Sequence, residues 1–301
     1  MIVAIILNWN NSDQTLKLIK NLESIEKHLN YIIVDNNSKS EEIKKLTSFF
    51  YTKEKSQVIS ENIFEKNEFK INYKYNILLL ENNYGYAKGN NYGLRLAEKL
   101  KAKYVIVMNN DIEIENPFIS TFVEEFEKDQ KIAIMSGKII GPFSEQGPNR
   151  MPNMFDWFFY PLFLPFLILP KKYLEKKSNK NVWFTGCFLF IRLDIFKKVG
   201  FFDENNFLYL EEPMIFKRIY EKGYNAKKID EVIIKHYHGM TTSKISKKKK
   251  FYYLKDAINY YFKNYENYGN LKIKLIIIAN YVRFFFWEPI IFRIIRILRH
   301  E

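Results

Sequence analysis

The chain has 301 residues, 47% of them hydrophobic and 17% aromatic, with 27 Phe and 21 Tyr, which is enough apolar mass for a full core and excludes global disorder. Its net charge of +13 is uneven, because residues 247–301 hold 12 Lys/Arg against 4 Asp/Glu, so an anionic partner is expected there, either nucleic acid or a membrane surface. The single cysteine, Cys187, can close no internal disulfide, which fits a reducing compartment.

Met1 leads directly into Ile2–Leu7, an apolar run with no basic stretch or cleavage site, so it reads as a buried strand and not as a signal peptide. Asn8-Trp9-Asn10-Asn11 follows, and Ser12 or Asp13 can cap a helix with Leu16, Ile19, Leu22 and Ile25 at helical spacing. Tyr31–Val34 is the next strand, ending in Asp35-Asn36-Asn37-Ser38. This is a βαβ unit, and a right-handed crossover places both polar loops at one edge of a parallel sheet. Glu41 to Phe50 can be helical, whereas 51–76 is polar and weakly periodic and reads as a variable insertion.

Ile77–Leu80 is a third strand, leading into a Gly/Asn-rich turn (Asn83 to Gly93) and a helix through Leu94, Ala97 and Leu100. Glycines there permit tight backbone paths, and the helix start offers free N–H groups to a phosphate or sugar. The turn matches neither the dinucleotide GxGxxG nor the GxxxxGK[ST] phosphate loop. Tyr104–Met108 is a fourth strand that runs into Asn109-Asn110-Asp111. Ligands of open α/β sheets bind beyond such strand ends, so Asp111 either closes a turn or holds a metal ion. After Asn116-Pro117 come a helix (Phe118, Phe122, Phe126) and strand-like runs at 132–135 and 138–140.

Residues 154–170 contain seven aromatic side chains and one charge, Asp156, with prolines at 161, 165 and 170. The stretch is too short and too broken to span a bilayer. It reads either as a buried hydrophobic loop or as one dipping into a bilayer interface, with Lys171, Lys172, Lys176 and Lys177 behind it. Val182–Ile191 resumes as a strand in which Gly186 allows close approach of a ligand. Glu211-Glu212 precede a helix with Pro213 in its first turn, and alone they could simply be partners of the helix dipole. Val232–Ile234 is a strand followed by His236-Tyr237-His238, a pair that can share one ion only if the backbone bends.

In order, Leu7–Asn10, Ile33–Ser38, Asn83–Gly93, Met108–Asp111, Thr185-Gly186, Val199–Glu204, Tyr209–Glu212 and His236 resemble a family 2 glycosyltransferase, over about residues 2–243. Within that family the pattern is most similar to rhamnosyltransferase-type enzymes of bacterial surface polysaccharide assembly. The resemblance implies a GT-A fold, that is, an α/β, Rossmann-like and mostly parallel sheet flanked by helices. It implies an inverting transfer from a UDP- or dTDP-sugar to a glycan or lipid-linked acceptor. The donor would lie against Asn8, Asn10, Asp35, Asn37, Asn83, Gly85, Gly89, Asn90, Asn109, Asn110 and Gly186, with Asp35 on the pyrimidine base. Asp111, with His236 or His238, would bind Mn²⁺ or Mg²⁺. Glu212, with Glu211 in reserve, would be the general base. Two positions depart from the family pattern: Asn109 stands for the first Asp of DxD, and Met214 for an acid after the pair.

Residues 1–245 would then form the catalytic domain, and 246–301 a basic, amphipathic helical extension. Charges at Arg283, Glu288, Arg293, Arg296 and Arg299 argue against a spanning segment. They favour helices lying on an anionic membrane or packing in a homodimer, while Ile and Phe between the charges argue against nucleic acid. The expected location is cytoplasmic, peripheral on the inner face of the cell membrane. Two competing functions are a sugar nucleotidyltransferase, for which the triphosphate-gripping N-terminal loop is missing, and a non-catalytic membrane adaptor.

Overall fold

Six apolar residues in succession can avoid water only inside a sheet covered on both faces, and Ile2–Asn8 (β1) is such a strand, with Val3, Ala4, Ile5 and Ile6 fully buried. The structure, a computed structural model, describes residues 1–142, 144–163, 182–237 and 245–290. His238, residues 164–170 of the hydrophobic loop, the lysines behind it and residues 291–301 lie outside the described residues.

β1 is followed by α1 (Ser12–Ile25), β2 (Asn30–Asp35), α2 (Ser40–Tyr51), β3 (Ser56–Ser60), α3 (Glu61–Glu65), β4 (Tyr75–Leu79), α4 (Gly85–Lys99) and β5 (Tyr104–Asn109). Then come β6 (Ile112–Ile114), α5 (Ile119–Lys128), β7 (Ile132–Ile140), β8 (Asn149–Arg150), a π-helical stretch (Phe155–Phe159), α6 (Tyr160–Phe163), β9 (Val182–Trp183) and β10 (Phe188–Arg192). The chain continues through α7 (Leu193–Lys198), α8 (Glu211–Glu221), β11 (Asn225–His236), α9 (Lys247–Asn264) and α10 (Asn270–Val282). Nine strands form one sheet in the order β3-β4-β2-β1-β5-β10-β7-β11-β6. β3, β4, β2, β1 and β5 are mutually parallel, so the loops after β1, β2, β4 and β5 meet at one edge.

Alternate residues of each central strand feed two cores. Val3, Ile5, Val34, Val105 and Val107 pack under α4 and α8, while Ala4, Ile6, Ile33, Ile106 and Met108 pack under α1, α2 and α5. The segment expected to be an insertion, 51–76, is not free of the fold: it carries the edge strand β3 and α3. Its Glu61 carboxylate is buried and accepts from Tyr92 Oη (2.6 Å), Tyr84 Oη (2.9 Å) and the Glu81 N–H (2.7 Å). Burial pushes its pKa up, but these hydrogen bonds and the nearby Lys88 outweigh burial and hold it below the ordinary value.

A third core joins the tail to the rest. Leu210 and Met214 at the start of α8 are buried against Leu254, Ala257, Ile258, Tyr261 and Phe262 of α9 and Ile273 and Ile276 of α10. The boundary drawn at 245/246 therefore does not separate two cores. It also explains Met214: where the family pattern has an acid, this chain buries a thioether completely beneath α9. Asp203 fastens the same helix, accepting from Tyr260 Oη (3.1 Å) and Tyr265 Oη (2.6 Å). Among the described residues no helix is long and apolar enough to cross a membrane.

Candidate active site

The loops at the sheet edge, the start of α8 and the two tail helices enclose a cleft of about 560 Å³. Asn8, at the end of β1, is fully buried; it donates to Asp35 Oδ1 (2.7 Å) and accepts from Thr15 Oγ1 (2.8 Å). Asp35 is equally buried, and its Oδ2 accepts from the Ser38 N–H (2.9 Å). Both oxygens are therefore engaged inside the loop, and neither Asp35 nor Asn8 lines the cleft. Asn8 and Asp35 thus brace the loops after β1 and β2 from behind the cleft. Asn10 and Asn37 adopt left-handed backbone (φ 52° and 60°), a conformation Asn tolerates well. Asn10 Oδ1 accepts from the Lys39 N–H (2.7 Å), whereas Asn37 is exposed.

Asn36, which is not among the expected site residues, lines the cleft and knits three loops. It donates to Asn83 Oδ1 (3.0 Å) and Gly85 O (3.0 Å) and accepts from the Tyr84 N–H (2.9 Å). Gly85 has φ +79°, and a Cβ on it would stand 2.1 Å from Phe207 O, so only glycine fits where α4 begins. A Cβ on Gly89 would meet Leu7 at 2.8 Å and Asn36 at 3.2 Å, so glycine here lets α4 close on the ends of β1 and β2. Asn90 is buried below this level; it donates to Tyr86 O (3.0 Å), and its Oδ1 has no hydrogen-bond partner.

β5 delivers Asn109, Asn110 and Asp111 to the cleft floor. The short strand β6, for which the sequence gives no signal, then turns back to pair with β11 so that Ile112 lies opposite His236. That register, with the Tyr237 N–H on Asp111 O (3.0 Å), brings Asp111 Oδ1 to 3.2 Å from His236 Nε2. Gln146 Oε1 sits 3.0 Å from His236 Nδ1. An amide oxygen only accepts, so Nδ1 carries hydrogen and Nε2 turns toward the carboxylate. His236 Nε2 and the Asp111 carboxylate oxygen face each other at a spacing from which both could ligate one small divalent cation. Among the described residues no group of three or more His, Cys, Asp and Glu gathers at one point. Two protein ligands suit an ion that keeps water and phosphate oxygens in its shell.

The acid pair enters from α8. Tyr209 and Leu210 both have positive φ (79° and 64°), and this strained bend aims Glu211 and Glu212 into the cleft. Glu212 Oε1 accepts from the Gly186 N–H (2.9 Å), and Gly186 O accepts from Tyr86 Oη (2.6 Å). A Cβ on Gly186 would lie 2.6 Å from Tyr86 Oη and 2.7 Å from Glu212 Oε1, so any larger residue would push these side-chain tips out of place. Glu211 is 5% exposed, and its Oε2 has no hydrogen-bond partner. Burial, and then the Glu212 charge, push the Glu211 pKa well above the ordinary value; burial likewise raises that of Glu212. Burial, Asp111 and Glu212 together keep the Cys187 thiol protonated between the two acidic clusters.

The strand order, the polar loops at one sheet edge and a carboxylate after the central strand are those of a GT-A glycosyltransferase. The chain belongs to glycosyl transferase family 2, whose family model matches residues 3–200. Among solved structures, a mannosyltransferase from Pyrobaculum calidifontis in complex with GDP-Man and Mn²⁺ is 11% identical at a TM-score of 0.52, covering 94% of this chain and 69% of that one. GalNAc-T7 with UDP, GalNAc and Mn²⁺ is 15% identical at 0.57, over 88% of this chain and 49% of the other. TarS residues 1–349 from S. aureus in complex with UDP is 12% identical at 0.52, over 92% and 69%. At such identities the likeness is one of fold. No sequence among curated proteins matches this chain.

Proposed function

We propose that the chain transfers a sugar, with inversion, from a UDP- or dTDP-sugar to a glycan or lipid-linked acceptor, as in bacterial surface polysaccharide assembly. The observation that carries this reading is that a buried acid pair and the Asp111–His236 pair face one cleft from different elements. The donor lies against Trp9, Asn36, Asn83 and Tyr86, which line the cleft above the strand ends. Asp111 and His236 hold Mn²⁺ or Mg²⁺, which when bound neutralises charge on the departing diphosphate.

Glu212 takes the proton of the acceptor hydroxyl as its oxygen attacks the anomeric carbon, and the nucleoside diphosphate leaves from the opposite face. Burial raises the Glu212 pKa, which makes its carboxylate a stronger base than a free one. The Gly186 N–H holds one carboxylate oxygen and fixes the direction of the other. Calorimetry with UDP-, dTDP- and GDP-sugars in the presence of Mn²⁺ identifies the donor, and dTDP-rhamnose preferred over the rest supports the rhamnosyl branch. Nucleotide-sugar binding in none of these titrations sinks the proposal. Action at the inner face of the membrane is part of the same reading and predicts that the full chain floats with phosphatidylglycerol vesicles.

A further inference from the structure

β11 runs beside β7 in parallel register, with Lys235 opposite Ile140, so His236 emerges where β7 ends. The chain does not leave that edge but doubles back in a tight turn. The Gly141 N–H donates to Ser144 O (3.0 Å), Ile140 bridges Glu145, and the Gln146 N–H donates to Ile139 O (2.9 Å). Lys228 of β11 pairs with Glu145 and fastens the turn to the sheet. A Cβ on Gly141 would stand 2.0 Å from Gln146 Nε2, so the carboxamide fills the space that a side chain at 141 would take. Its Oε1 thereby reaches His236 Nδ1 at 3.0 Å from behind the cleft, whose lining includes His236 but not Gln146.

A neutral imidazole carries hydrogen on one nitrogen and a lone pair on the other. Two acceptors compete for that hydrogen, because Asp111 Oδ1 lies 3.2 Å from Nε2 and Gln146 Oε1 lies 3.0 Å from Nδ1. If the carboxylate won, Nε2–H would donate to Asp111 and have no lone pair for a metal. We infer that Gln146 is a positioning residue for the divalent cation: it holds hydrogen on Nδ1, so that the Nε2 lone pair turns toward an ion shared with Asp111. An amide acceptor does this without bringing further negative charge to the site. The inference rests on the reading that Asp111 and His236 hold Mn²⁺ or Mg²⁺, and adds to it a residue that never touches the ion.

The experiment starts without metal, on the full chain labelled with ¹⁵N-histidine at mildly alkaline pH. Two-bond ¹H–¹⁵N couplings of His236 should place hydrogen on Nδ1 in the parent and lose that preference in Gln146→Leu. Mn²⁺ is then titrated into the same proteins, with and without UDP, following the electron paramagnetic resonance signal of the free ion. Gln146→Leu should weaken Mn²⁺ about 10–100-fold, the usual cost of losing the partner behind a ligating histidine, while metal-free UDP binding stays unchanged. Gln146→Glu keeps an acceptor facing Nδ1 and should bind Mn²⁺ at least as tightly as the parent. Gly141→Ala pushes the carboxamide aside, so it should weaken Mn²⁺ in the parent background but add nothing to Gln146→Leu. Hydrogen on Nε2 in the parent, unaltered Mn²⁺ affinity in Gln146→Leu, or a loss that Gln146→Glu shares overturns the inference. So does an equal loss of metal-free UDP affinity, which would make Gln146 a prop of the whole cleft. A parent that keeps hydrogen on Nδ1 yet binds no Mn²⁺, with or without UDP, overturns the metal reading of Asp111 and His236, and the role of Gln146 with it.

Discussion

The two walls of the cleft are built on opposite plans. One wall is backed by a mesh of short polar side chains at strand ends, where Asn8, Thr15, Asp35 and Ser38 hydrogen-bond behind the cleft and Asn36 and Asn83 pair at its surface. The opposite wall is aromatic and assembled over long sequence distances, from Trp157, Phe207, Tyr253 and Phe284. A mesh of satisfied hydrogen bonds tolerates one geometry, which suits a donor whose nucleotide and diphosphate are fixed in shape. A wall of rings and hydrocarbon reads shape loosely, because apolar contact has little directionality. Where the walls meet, Gly186 joins Tyr86 of the first to Glu212 beside the second.

The sharpest break in this arrangement removes the chemistry at the seam and leaves both walls standing. Asp111→Ala and Glu212→Gln should each cut transfer by about 10²–10⁴-fold, the range for loss of a positioned acid–base group or charge. Nucleotide binding should survive in Glu212→Gln. Initial-rate assays beside melting curves decide it: full transfer in both variants would remove these residues from the reaction.

A second break unpacks the tail. Phe262 is fully buried against Trp157 and Tyr268, with ring centroids 5.9 and 5.3 Å away. Phe262→Ala should cost about 3–5 kcal/mol, and because Leu210 and Met214 share that core, activity should fall with it. A tail that melts while transfer persists would show that the acid pair is aimed without α9.

The donor wall is legible in the sequence because its parts are local. A strand runs into Asn or Asp within two or three residues, so Asn8, Asp35, Asn83 and Asp111 fall on one edge by pattern alone. What escapes is the division of labour within each motif: Asp35 turns inward to hold Asn8, and its neighbour Asn36 faces the cleft. A one-residue step along a loop reverses such roles, and spacing cannot sense it. β6 is only three residues long, too short for a periodicity, yet its pairing with β11 is what brings His236 to Asp111. The opposite wall reads in the sequence as a loop, either buried or at a bilayer interface, and an amphipathic tail. Amphipathic patterning marks an apolar face without saying what covers it, and here one face of α9 is covered by Met214.

Gly186→Ala tests the seam more gently. The added methyl would need Tyr86 Oη and Glu212 Oε1 to move apart from 2.6 and 2.7 Å, so one of the two hydrogen bonds must give way. Turnover should drop about 10–100-fold from a misplaced base, with UDP affinity held within about twofold. Tyr86→Phe, which removes only the hydroxyl, should fall between this variant and the parent. A rise in UDP dissociation constant with unchanged turnover would move Gly186 to the donor wall.

The smallest effect concerns Glu211, the buried acid beside Glu212. Folding raises the Glu211 pKa, so the native chain keeps a proton that the unfolded chain releases near pH 4.3, as roughly expected for free Glu. Below that value both states are protonated and the stability linked to this group is fully present. As pH climbs toward the raised native value, the unfolded state ionises first and stability is lost. Glu211→Gln cannot ionise, so its melting temperature should match the parent near pH 4 and exceed it progressively toward neutrality. The gain is about 1.4 kcal/mol for every tenfold by which the native cleft favours the protonated acid over the unfolded chain, or roughly 2 °C per kcal/mol at this chain length. Melting curves for the two proteins between pH 4 and 8 carry the test, and a constant difference across that range would mean that Glu211 ionises as freely in the native cleft as in the unfolded chain. A widening gap would show that the cleft keeps a destabilising acid in place, as the strained bend at Tyr209 and Leu210 already implies.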